Sequence, residues 1–205
     1  MSSMLARTPD QEGPKPLDLD QPLPAGAAAA VSGSMAAWLL AEACQAGMAR
    51  SQSPKGVDEL RSMRDRALSV RRDLVALIGQ SRGAREALLA SRAETPESSD
   101  PLLHARLFAA EVPLRTAGAC HLLLDFALRA LSRVGVKSVE EIGTAAALAH
   151  AGVLGGVLAA RAALAPVADE TLGGVSAARK RAEQMLRDAE ALRSQIIDRV
   201  RRHIP

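Results

Sequence analysis

Aromatic side chains are almost missing from this sequence: 205 residues contain no tyrosine, two phenylalanines and one tryptophan. A chain of this length can bury a sizeable core, so the bulk must come from leucine, valine, isoleucine, methionine and alanine. Alanine favours helices and lets them pack at short range. No stretch alternates apolar and polar residues as a half-buried strand would. An all-α fold is therefore expected. The shortage of rings also argues against nucleic-acid binding, which draws on stacking and a stripe of one charge. Of 26 basic residues 22 are arginine, but acids interrupt them, as at Arg187-Asp188 and Asp198-Arg199. The formal charge of +3 thus describes a solvated, mixed surface, and no nucleic-acid partner is expected.

Other absences narrow the chemistry. Two cysteines, Cys44 and Cys120, stand in no ligand spacing, and no secretory apolar segment follows Met1. A reducing, cytoplasmic setting is expected. The four histidines, at 104, 121, 150 and 203, form no HExxH or paired arrangement, so no metal is expected. There is no GxGxxG and no Walker-type loop, which leaves no nucleotide cofactor to predict. The most apolar run, Ile142 to Leu164, is broken by His150 and Arg161 and is mostly alanine and glycine. Alanine contributes little insertion energy, so no membrane span is expected. Gly152 and Gly156 form a GxxxG there, a spacing that lets a second helix approach closely.

What is present reads as a proline-rich leader and five helices. Residues 1–24 hold five prolines among scattered charges, a composition that cannot order itself. The remainder, 25–205, is expected to be one helical domain. A small-faced, nearly all-apolar segment from Ala25 to about Arg50 suits a buried central helix, which Ser32 or Ser34 can cap. Leu60, Met63, Ala67, Val70, Leu74 and Leu77 recur at alternating spacings of 3 and 4, the apolar seam of a long amphipathic helix. Gly79 and Gly83 weaken that helix, and ETPESSDP at 94–101 ends it. Asp100-Pro101 reads as N-cap and first-turn proline of a third helix that runs to about Val134 with Pro113 inside it. A fourth runs from Ser138 to near Pro166. The fifth, from about Thr171 to His203, carries a second seam: Val175, Ala178, Ala182, Met185, Ala189, Leu192 and Ile196. Five such helices make a bundle. Two long seams offer more apolar surface than one chain is expected to cover, which predicts a homodimer.

The stretch SVEEIGTAAALAH sets Glu140 and Glu141 at the mouth of the fourth helix. Ser138 followed three residues later by Glu141 is a capping box, in which each side chain satisfies a free amide. An ionised carboxylate fixed at a helix N-terminus also suits a cationic substrate or proton transfer. The spacing allows both roles.

From Ala25 to about Ile204 the chain resembles the cyclodeaminase/cyclohydrolase family. Three places carry the resemblance: SGSMAAWLLAEA, the phrase AAEVPLRTA at 109–117, and the opening of the fourth helix with its continuation GVLGGVLAARAAL. The resemblance implies a dimeric helical bundle acting on one-carbon units attached to tetrahydrofolate. It places the family's serine on Ser34, its aspartate on Glu141 and its glycine on Gly155. The departures fall on polar positions. The family's two asparagines fall on Ala159 and Ala163, its acidic residue near Ser81, and the following aromatic near Arg85. Methyl groups cannot make the hydrogen bonds through which a site selects a pterin.

Three functions stay open on these residues. The first is a diverged enzyme that opens or closes a C–N ring in a small molecule other than the usual folate. In it Glu141 would be catalytic, Ser34 and Ser81 substrate ligands, and Arg85 an anion contact. The second is an ordinary folate cyclohydrolase or cyclodeaminase, with a tetrahydrofolate derivative as substrate and no separate cofactor. The third is a non-catalytic binding or structural dimer, in which Glu141 and Ser34 are helix caps and Arg85 is solvated.

Overall fold

The computed structural model describes residues 23–94, 96, 100–167 and 173–203. The leader expected over 1–24 lies outside them, apart from Leu23 and Pro24. The described residues form five α-helices: α1 (Ala25–Met48), α2 (Pro54–Glu94), α3 (Asp100–Ala130), α4 (Val139–Leu164) and α5 (Gly173–Arg201). A short 3-10 turn, Val136–Ser138, precedes α4. This is the all-α bundle that alanine content and helical periodicity predict.

The first helix packs against α2, α3 and α4, and α5 lies across α3 and α4. Helices α1 and α4 run antiparallel. Ser32 Oγ donates to the Leu148 carbonyl at 2.8 Å, and farther along α1 Arg50 reaches Ser138 at the start of α4. The core is leucine and alanine, with Leu40, Leu74, Leu124, Ile142 and Leu164 fully enclosed. The inner positions of both predicted seams are covered inside the chain, while Met63, Ala178, Met185 and Leu192 stay partly exposed. Leu60, Ala67, Leu74 and Leu77 are buried beneath α1 and α3. Val175, Ala182, Ala189 and Ile196, seven residues apart, are buried against α3 and α4.

The small residues fix how closely the helices approach. A methyl at Gly156 would stand 2.6 Å from the Pro113 carbonyl, and one at Gly152 would stand 2.5 Å from the Cys120 sulfur. The same sulfur fills the space beside Gly33 of α1. Three helices thus cross around one thiol, and the GxxxG spacing serves contact within the chain.

Helix ends depart from the sequence reading. Ser32 and Ser34 are not caps: α1 starts seven residues before Ser32, and its first bond runs from the Ala28 amide to the Pro24 carbonyl at 2.9 Å. The capping box at Ser138 is not formed either. The chain enters α4 through the 3-10 turn, so the Ser138 amide is already bonded to the Gly135 carbonyl at 2.9 Å. Its hydroxyl accepts from Arg50 at 3.4 Å. At its other end α4 is closed from α5, where Arg179 donates to the Leu164 and Val167 carbonyls.

Three segments, Ala25–Met48, Asp100–Ala130 and Val136–Leu164, are long and apolar enough to cross a membrane by length and composition. Roughly half of each apolar window is buried inside the bundle.

Candidate functional site

A cavity of about 260 Å³ opens where α1 begins. Four helices supply its described wall. The start of α1 contributes Pro24, Ala25 and Gly26, and the C-terminal part of α2 contributes Ser81, Arg85 and, from its last turn, Arg92. Ala109 and Pro113 come from α3, and Ala159 and Ala163 from the last turns of α4.

The spacing in α2 explains how its polar groups converge. Residues four and seven positions apart share a helix face, and Ser81, Arg85 and Arg92 follow that rhythm with Leu88 and Leu89 between them. Ser81 is only 5% exposed, yet its Oγ has no hydrogen-bond partner among the described residues. Both arginines are exposed, and neither forms an ion pair with a described residue. On α3, Pro113 brings no amide, so the Ala109 carbonyl lacks its helical donor beside the cavity.

Among the described residues no side chain caps the N-terminus of α1, and Pro24 has no amide. The amides of Ala25, Gly26 and Ala27 therefore find no acceptor among the described residues, as the first turn of an uncapped helix must leave them. Gly26 keeps this turn close to Ser81: a methyl there would stand 3.1 Å from the Ser81 Oγ and 3.3 Å from the Pro113 ring.

The residues singled out from the sequence separate into two groups. Ser81 and Arg85 line the cavity, and so do Ala159 and Ala163, the positions on which the family's asparagines fall. Ser34 is eight residues along α1 from Gly26, about 12 Å of helix, and its Oγ turns back to the Val31 carbonyl at 2.8 Å. Glu141 lies at the opposite end of α4. Eighteen residues of helix separate it from Ala159, about 27 Å of rise. Its Oε2 is buried and accepts no hydrogen bond from a described residue. Gly155 packs against Ala29 of α1.

Sequence reasoning passed over Pro24, Gly26 and Arg92. Arg92 was within reach, since it continues the Ser81–Arg85 face at helical spacing. The start of α1 was harder, because a backbone carbonyl, not a side chain, caps it.

Neither cysteine is placed for nucleophilic work. Burial pushes the Cys120 thiol up to about 12. Burial likewise raises Cys44 to about 11, against a smaller opposing pull from Arg64. Among the described residues no three His, Cys, Asp or Glu side chains gather as metal ligands do.

Fold and cavity together describe a helical bundle with a cavity framed by four of its helices. Residues 15–184 match the family model described as Formiminotransferase-cyclodeaminase, and the chain belongs to that family. The fold also matches the crystal structure of formiminotetrahydrofolate cyclodeaminase from Thermotoga maritima. The TM-score is 0.75 at 20% identity, over 90% of this chain and 89% of that one. At that identity the likeness is one of fold. None of the curated proteins compared matches the sequence.

Proposed function

We propose that this protein is a cyclodeaminase-like enzyme that opens or closes a C–N ring in a small molecule other than the usual folate, and that the cavity at the start of α1 is its site. One observation carries the reading. Four positions matched to the family, Ser81, Arg85, Ala159 and Ala163, line a single cavity, among them both positions of the family's asparagines. A pterin brought to this wall would lose hydrogen bonds and meet methyl groups. Unpaired polar groups are the strongest ground on which a site rejects a ligand. The scaffold is kept while the selecting contacts differ.

Thermal-shift screening of cyclic amidines, imides and lactams, followed by a ring-opening assay on those that bind, tests the reading. Ser81→Ala is expected to lower kcat/KM about tenfold, the worth of a lost hydrogen bond in a dry site. Glu141→Gln, at the far end of α4, is expected to stay within about twofold of wild type on the same scale. The reverse order would move the site to Glu141 and sink the proposal.

A second reading is favoured by the wall itself. Ser81, Arg85 and Arg92 are its polar side chains among the described residues. None of these residue types exchanges a proton readily near neutral pH. A binding protein on the same scaffold would show saturable ligand binding and no turnover.

The proposal includes a homodimer that meets through exposed apolar side chains of α1 and α4. Met35 and Trp38 on α1 are 52% and 49% exposed, and Leu158 on α4 is 53% exposed. Large apolar side chains on adjoining helices mark association surfaces. Light scattering that returns the monomer mass of 21.5 kDa at micromolar concentration would remove it.

A further inference from the structure

We infer that the ligand of this cavity carries an oxyanion group, a carboxylate or a phosphate, held in the cavity alongside the first turn of α1 and Ser81. The inference rests on reading the cavity as the ligand site, and it adds the chemical character of what binds there.

Four features of the same wall lead to it. The amides of Ala25, Gly26 and Ala27 have no acceptor among the described residues, and they stand at the positive end of a 24-residue helix. Such a helix end favours negative charge and offers it hydrogen bonds. Ser81, almost fully buried, turns an unpartnered hydroxyl toward this turn. A buried hydroxyl without a partner is costly, and an oxyanion would accept its proton. Arg85 and Arg92 line the same cavity. Neither is neutralised by a described carboxylate, and the described wall contains none. Arginine presents forked donors that match carboxylate and phosphate oxygens.

Gly26 ties these features together. Its missing side chain leaves 3.1 Å between a would-be methyl and the Ser81 Oγ, so the bare backbone and the hydroxyl face the same space. The polar side chains on the described wall, Ser81, Arg85 and Arg92, can all donate, while its acceptors are backbone carbonyls of Ala109 and of the last turn of α4. The field that attracts an anion works equally against a cation. A ligand whose only charge is a cationic, iminium-like ring would be disfavoured at this end of the cavity.

The test is a titration of the full chain, followed by amide NMR, with inorganic phosphate and, separately, with succinate. Sodium chloride at matched ionic strength serves as the reference. Saturable shifts of the Gly26 and Ala27 amides are expected with at least one of the two anions. Arg85→Gln and Arg92→Gln should each raise the apparent Kd about tenfold, as loss of a charge-assisted hydrogen bond does, with unchanged melting temperature. Ser81→Ala should weaken binding less. The tighter of the two anions identifies the head group. Shifts that merely follow ionic strength, or that persist unaltered in both arginine variants, would overturn the inference.

Failure of this inference and failure of the enzymatic reading are separable. A neutral ring compound that moves the same amides and binds the double arginine variant as tightly as wild type leaves the cavity as the site and removes the anion. Saturable phosphate binding at Gly26, in a protein that turns over no ring compound, leaves the anion and removes the enzyme.

Discussion

Gly156 has no room for a side chain, because the Pro113 carbonyl occupies the space a methyl would need. Backbone cannot swing aside as a long side chain can, so Gly156→Ala must push α3 and α4 apart. A destabilisation of about 1–3 kcal/mol is expected, typical of overpacking in a close-packed interior. Gly152→Ala meets the Cys120 sulfur, and Cys120→Ala in the same chain should recover part of its loss. Chemical denaturation of the two single variants and the double variant checks both statements. A neutral Gly156→Ala would contradict the crossing described here. The GxxxG spacing was legible in the sequence as a close approach. Its partner was not, since one chain offers several small-faced helices and spacing does not choose among them.

At the scale of the helix, α2 carries its glycines differently. Nothing stands within 4 Å of a methyl built at Gly79 or Gly83, and both residues are exposed in the middle of a 41-residue helix. There glycine contributes only backbone freedom to the unfolded chain. Gly79→Ala and Gly83→Ala are each expected to stabilise the protein by about 0.5–1 kcal/mol, read as a shift in denaturation midpoint. Destabilisation would mean that α2 bends or opens at these positions. The existence and extent of α2 and α5 were legible because their seams repeat at helical spacing for several turns. Helix starts were less so. Serines at 32 and 34 look like caps, yet α1 begins earlier, where the Pro24 carbonyl accepts the first bond and leaves no side-chain signal. At α4 the box spelled by Ser138 and Glu141 is pre-empted by the 3-10 turn, which has already used the Ser138 amide.

For the whole molecule, the class of fold was legible in the sequence, and so were two residues of the cavity wall. Ser81 and Arg85 were found through the resemblance, and the fold brings them to the same cavity as Ala159 and Ala163. Glu141 drew attention because two carboxylates at a helix start suit chemistry, but a 26-residue helix puts its two ends far apart. Which end faces a cavity depends on how α1, α2 and α3 close around it, and no local pattern records that. The two seams show the same dependence on packing, since their inner positions are buried within the chain while Met63, Ala178, Met185 and Leu192 stay partly exposed.

The reading of the site turns on whether methyl groups at 159 and 163 have taken the cavity away from folate. Isothermal titration of the full chain with a 5,10-methenyltetrahydrofolate settles it. A cavity without those hydrogen-bonding partners is expected to bind so weakly that no saturable heat appears below about millimolar concentration, near 4 kcal/mol of binding free energy. Saturable binding at micromolar concentration, lost in Ser81→Ala and retained in Glu141→Gln, would place folate in this cavity and contradict the proposal that the ligand is another molecule.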